Sequence, residues 1–135
     1  MQPAQRMTAI VKTLPAWFAR GQIDKFLTAR FVHFYFTLGR GRPRIQPASL
    51  FLTHKGVLLG SFDVEEVCRN EGQLPKLTTL DGEPSDWQIK PDRYVAVCAP
   101  PFHRLEEQLC HVGFRGWRYF DLEAYRKTLD SRVTL

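Results

Sequence analysis

The chain has 135 residues, 44% of them hydrophobic, and a formal net charge of +5 at pH 7. That length makes one domain with room for a proper core, and no apolar run approaches the roughly 18 residues of a membrane span, so no membrane partner is expected. Cys68, Cys98 and Cys110 form no close CxxC pair, which argues against a disulfide framework and for a reducing, cytoplasmic compartment.

The charge is unevenly placed. Residues 1–60 hold nine Lys/Arg against Asp24 alone, a net of +8, while residues 61–135 hold ten basic and thirteen acidic residues, a net of −3. A one-sided basic field attracts polyanions, although a solvated basic surface has the same composition.

In chain order, residues 1–7 are expected to fray. The first 23 residues contain no acid and carry Arg6, Lys12 and Arg20. Transit peptides share that bias, but few serines and no secretory apolar core assign the stretch to the fold. Thr8–Lys12 is a short apolar run suited to a first strand. Thr13, Pro15 and Gly21 stand where an N-cap, a first-turn proline and a left-handed C′ glycine belong, predicting a helix over Leu14–Arg20. Leu14, Trp17 and Phe18 give it one apolar stripe. Gly21–Arg30 leads into Phe31–Thr37, a strand aromatic on both faces, as in strands buried on both sides. Such a row can also stack bases, but core packing is its ordinary use.

Leu38–Pro47 follows, with Arg40, Arg42 and Arg44 set among Gly39, Gly41 and Pro43. Ala48–Thr53 and Val57–Val67 read as the next strands. The turn between them, His54-Lys55-Gly56, uses glycine at a positive φ without steric cost. Phe62 and Val64 alternate with Ser61, Asp63 and Glu65, so one face of that strand meets water, and Gly60 suggests a bulge. Arg69–Arg93 is long, polar and broken by Gly and Pro, the make-up of a binding loop, with Lys76–Leu80 as a candidate edge strand.

Tyr94–Ala99 is predicted to be a central strand stopped by Pro100-Pro101. Leu105, Leu109 and Val112 share a helical face, predicting a helix over Phe102–Val112 with Gly113 at its end. Phe114–Phe120 is an aromatic and basic last strand. Asp121 caps a final helix along which Leu122, Tyr125 and Leu129 align, and residues 131–135 are expected to fray.

Few of these residues fit a known chemistry. Cys98, His103, Cys110 and His111 lack the paired spacing of a structural zinc site, so no metal is expected, nor any cofactor. There is no serine nucleophile elbow, and Gly39-Arg40-Gly41 matches neither the dinucleotide fingerprint nor the phosphate-loop motif. The Arg40, Arg42, Arg44 loop is a set of guanidinium forks on flexible backbone, suited to phosphate oxygens, or else a solvated turn. Lys25-Phe26-Leu27-Thr28-Ala29-Arg30 sets an amine, a hydroxyl and a guanidinium at i, i+3 and i+5. If the chain is extended at Thr28, then Thr28 and Arg30 project from one face, and Lys25 joins them only if the chain turns around it. Such a trio binds an anion, or supplies a base or nucleophile through an amine of lowered pKa. The plain alternative is a strand entry whose polar residues face water.

The order of short strand, helix with Trp and terminal Gly, Lys-x-x-polar-x-Arg, long strand, and the hairpin half Lys55–Val67 resembles the ASCH domain of the PUA-like superfamily. The signature there is Gly-x-Lys-x-x-Glu-x-Arg after the first helix. Here Gly21 stands three residues before Lys25 rather than one, and Thr28 replaces the usual Glu. The resemblance covers roughly residues 8–120 and implies a barrel-like core with RNA or a modified base bound in the cleft beside the signature. A small bacterial branch hydrolyses N4-acetylcytidine with Lys-x-x-Thr and a later Glu; Lys25 and Thr28 match that pair, and no motif selects among Glu65, Glu66 and Glu71 for the third place.

The expectation is a single α+β domain over residues 1–135, a PUA-like, ASCH-type small mixed β-barrel with flanking helices. Its expected partner is nucleic acid, RNA or a modified nucleoside in particular. Arg40, Arg42, Arg44 and Lys55 would meet phosphates, and Lys25, Thr28 and Arg30 would line a base cleft. The alternatives are an amidohydrolase acting on an acylated nucleoside through Lys25 and Thr28, and a protein-interaction module whose acidic second half meets a basic partner.

Overall fold

The computed structural model describes residues 8–14, 24, 25, 27, 28, 33–72 and 92–133. Six strands form one mixed sheet: β1 (Ala9–Thr13), β2 (Phe34–Gly39), β3 (Ser49–His54), β4 (Val57–Arg69), β5 (Tyr94–Cys110) and β6 (Trp117–Phe120). The strand order is β2-β5-β4-β3-β1-β6, with β1 parallel to β3 and every other pair antiparallel. Among the described residues one long helix, α1 (Leu122–Val133), follows β6. The sheet curls into a half-barrel whose edge strands, among the described residues, are β2 and β6. No helix among the described residues is long and apolar enough to cross a membrane.

The concave face holds the core. Phe34 on β2 stacks on Phe62 of β4 at 4.5 Å between ring centroids, although β5 runs between those two strands. Ile10, Leu50 and Leu52 from β1 and β3 join the same cluster, as do Leu14 and Leu27. Truncating a ring packed like Phe62 to Ala costs about 3–5 kcal/mol. The buried use of the Phe34 row agrees with the core reading of that aromatic run.

Three of the expected strands stand close to their predicted bounds, and the Lys55-Gly56 turn has φ 48° and 82°, the left-handed pair of a tight hairpin. Asp121 caps α1 as expected, its Oδ1 accepting the Ala124 N–H at 3.1 Å. Regular helix continues to Val133, inside the stretch expected to fray. Phe31, Val32, residues 15–20 of the expected first helix, and Lys76–Leu80 lie outside the described residues.

The expected helix over Phe102–Val112 is a correction. That stretch is the second half of β5, which passes through Pro100 and Pro101 and pairs with β4 as far as Val57↔Cys110. The prolines fit because the ladder breaks where they stand: Ser61 pairs with His103 and Asp63 with Ala99, so two steps on β4 face four on β5. A bulged strand asks no donor of its extra residues. Gly60 marks the bend as expected, with φ 153° and no room for a side chain: a Cβ there would lie 2.2 Å from the His103 carbonyl oxygen.

Candidate nucleic-acid interface

The loop after β2 crosses the open side of the half-barrel. It leaves one edge at Gly39, and the Arg44 N–H donates to Tyr119 Oη at 2.9 Å on the opposite edge strand, with the Ile45 N–H at 3.5 Å from the same oxygen. Ala48 N–H then donates to Thr8 O at 2.7 Å, delivering the chain to the start of β3. Pro43 and Pro47 are buried, whereas Arg40, Arg42 and Arg44 are exposed. The buried prolines restrict the conformations of the loop. Among the described residues, none of the three guanidinium groups has a carboxylate partner.

Tyr119 is 49% exposed and Ile45 59%. The Tyr119 ring stands edge-on to Trp117 at 5.1 Å, and Trp117 packs on the core. A half-exposed aromatic ring in contact with Trp117 is thus joined to the loop that carries three exposed arginines. This residue was missed by the sequence reading, because nothing local ties the aromatic run Phe114–Phe120 to a loop 75 positions earlier.

Beyond Tyr119, an open groove of about 600 Å³ runs where β1 and β3 begin and β6 passes into α1. Phe51 and Phe120 form its floor, their ring centroids 5.0 Å apart. Thr8, Ser49, Asp121 and Glu123 are among its polar lining residues. The far side of Phe120 is closed by His111 and Tyr125, and the Tyr125 hydroxyl donates to the Cys110 carbonyl, which fastens α1 to the end of β5.

The Lys25 motif lies elsewhere. Asp24, Lys25 and Leu27 are helical, and the Thr28 N–H donates to the Asp24 carbonyl at 3.1 Å. Thr28 is therefore on a helical turn, not in an extended entry, and its hydroxyl also donates to that carbonyl, at 2.7 Å. Lys25 and Thr28 are both exposed, while Leu27 is buried in the core. Asp24 Oδ1 accepts from Arg104 Nη2 at 2.7 Å, which ties the turn to β5. Arg30 lies outside the described residues.

Glu65 is 2.8 Å from His33 Nε2, and Asp63 Oδ2 is 3.3 Å from His103 Nε2, both on the solvated face. Glu66 and Glu71 are exposed. Burial, with the nearby Cys68, Glu65 and Glu66, pushes the Tyr35 hydroxyl above its ordinary pKa. Lys55 sits exposed in the turn after β3, at the far end of that strand from the point where the arginine loop enters it. The zinc-like residues are dispersed, with Cys98 in the core, His103 beside Asp63 and His111 among aromatic rings. The chain matches no protein-family model, no curated protein and no solved structure.

Proposed function

We propose that this half-barrel is a PUA-like, ASCH-type domain that binds single-stranded nucleic acid, RNA in particular, along loop 40–48. The observation that carries the reading is the backbone hydrogen bond that docks the arginine loop on the hydroxyl of the exposed Tyr119, with Arg40, Arg42 and Arg44 exposed along it. Guanidinium forks hold phosphate oxygens bidentately. A base laid on an aromatic face contributes about 1–3 kcal/mol irrespective of its identity. Tyr119 and Ile45 offer such a face within the same few residues as the cations. The basic first 60 residues add a field that speeds encounter. The curled mixed sheet and the Lys25–Arg30 block support the ASCH-type assignment; Lys25 and Lys55 add exposed cations outside the loop.

The test is the salt dependence of binding to a single-stranded oligoribonucleotide. Changing Arg40, Arg42 and Arg44 together to Ala should weaken binding of all sequences alike. It should also reduce the slope of log K against log salt by about 2, at about 0.7 per lost contact. A slope unchanged by the triple substitution would make these arginines an ordinary solvated surface and overturn the reading.

A further inference from the structure

Binding through phosphates and one stacked base leaves the groove beyond Tyr119 without a role. We propose that this groove receives one base of the bound strand and prefers a base with an exocyclic amino group, cytosine or adenine, over uracil. The proposal rests on the nucleic-acid reading above and adds base selection to it.

Three features lead there. The groove begins at Tyr119, so a strand held by the arginine loop passes its mouth without a detour. Its volume of about 600 Å³ falls within the usual range of small-molecule sites. Its lining includes the Phe51 and Phe120 rings, and its charged groups are acceptors only. Glu123 contributes a carboxylate beside Asp121, whose Oδ1 caps α1, and Thr8 and Ser49 carry hydroxyls that accept or donate. Glu123 engages Arg126 Nη1 through Oε1 alone, at 3.0 Å, which leaves Oε2 as an acceptor at the rim.

A carboxylate suits an amino group and repels a carbonyl. Acidic side chains read cytosine through its N4 amino group. Uracil instead carries a carbonyl oxygen where cytosine has its amino group, and a carbonyl set against the Glu123 carboxylate gains no hydrogen bond. The same carboxylates disfavour a phosphate inside the groove, so the backbone stays on the loop and the base enters.

Octamers of cytidine and of uridine carry equal charge, so the ratio of their affinities isolates the base. By fluorescence anisotropy the protein should bind the cytidine octamer about 3- to 10-fold tighter, the worth of one or so acceptor hydrogen bonds. Glu123→Ala, an exposed helix substitution that leaves the core intact, should bring that ratio toward 1. Its lost negative charge should raise both affinities alike. Equal affinities in the wild type, or a ratio unmoved by Glu123→Ala, would overturn the groove proposal while the phosphate reading stands. No binding of either octamer at low salt would overturn both.

Discussion

Tyr119 Oη and the Arg44 N–H, 75 positions apart in sequence, are joined by a 2.9 Å hydrogen bond that fastens the arginine loop to the far edge of the sheet. The loop starts at edge strand β2, so this bond links the two edges that a closed barrel would pair. A half-barrel exposes its edges to stray pairing. Here the loop crosses the gap and carries its charge with it.

Two substitutions at Tyr119 separate anchoring from stacking. Tyr119→Phe removes the hydroxyl and keeps the ring; at an exposed site the stability cost should not exceed about 1 kcal/mol. Binding should fall only as far as the loop loosens. Tyr119→Ala also removes the ring and should cost a further 1–3 kcal/mol or so of binding, the worth of one stacked base. Thermal unfolding and oligonucleotide titration read the two terms. Equal affinity in the two variants would place no base on this ring.

Gly60→Ala should be among the most damaging changes available. The added Cβ would lie 2.2 Å from the His103 carbonyl and 2.9 Å from the Arg104 Cα, both backbone, at a φ of 153° that side-chain-bearing residues rarely adopt. With strain and overpacking each costing about 1–3 kcal/mol, urea denaturation should show a loss of at least 2 kcal/mol or so. A loss below 0.5 kcal/mol or so would mean that β4 and β5 do not approach so closely at this bend.

Gly60 also shows where the sequence was legible and where it was not. A glycine inside an alternating run announced the bend, and the aromatic row of β2 and the Lys55-Gly56 turn announced three strands. Phe102–Val112 failed for a physical reason. Its ladder with β4 slips twice, between Leu58 and Gly60 and between Ser61 and Asp63, so the two-residue alternation of a strand is erased. What remained, Leu105, Leu109 and Val112, mimicked a helix stripe. The Arg44–Tyr119 contact was illegible because long-range docking leaves no local period. The same holds for the groove, which draws on β1, β3, β6 and α1.

The three thiols should separate cleanly in native-state alkylation followed by mass spectrometry. Cys110 is exposed at the end of β5 and should react first. Cys68 is half-buried, and burial, with Glu66 beside it, raises its pKa above the ordinary 9.0. Cys98 is buried between β2 and β4, and burial, then Asp63 and Glu65, pushes its thiol far up. Thiolate is the reactive form, so Cys98 should be labelled only on unfolding. Had Phe102–Val112 been a helix, Cys110 would have had no strand end to occupy. The sign for stability follows. Above pH 9.0 the unfolded chain loses these thiol protons while the fold keeps them, so the unfolded state binds fewer protons and stability falls. The slope should not exceed about 1.4 kcal/mol per pH unit for each thiol. Fast native labelling of Cys98 would contradict the core.

The last prediction separates binder from hydrolase, and it rests on Lys25. An amine that works as a base is desolvated or crowded by other cations. Lys25 is exposed on a helical turn. Its partner in the hydrolase reading, the Thr28 hydroxyl, is already donated to the Asp24 carbonyl. The carboxylate in that turn, Asp24, is held by Arg104, and Glu65 is paired with His33. A proton-transfer site needs its acid and base within hydrogen-bond reach of one substrate atom, and here Thr28, Asp24 and Glu65 are each engaged with another group. The wild-type protein should therefore release no acetate from N4-acetylcytidine at high enzyme concentration. Lys25→Arg, which retains the charge, should change oligonucleotide affinity less than about 2-fold, whereas Lys25→Ala should lower the salt slope by about 0.7 if this amine meets a phosphate. Acetate release that Lys25→Arg abolishes would reverse the assignment and make the turn, not the loop, the working site.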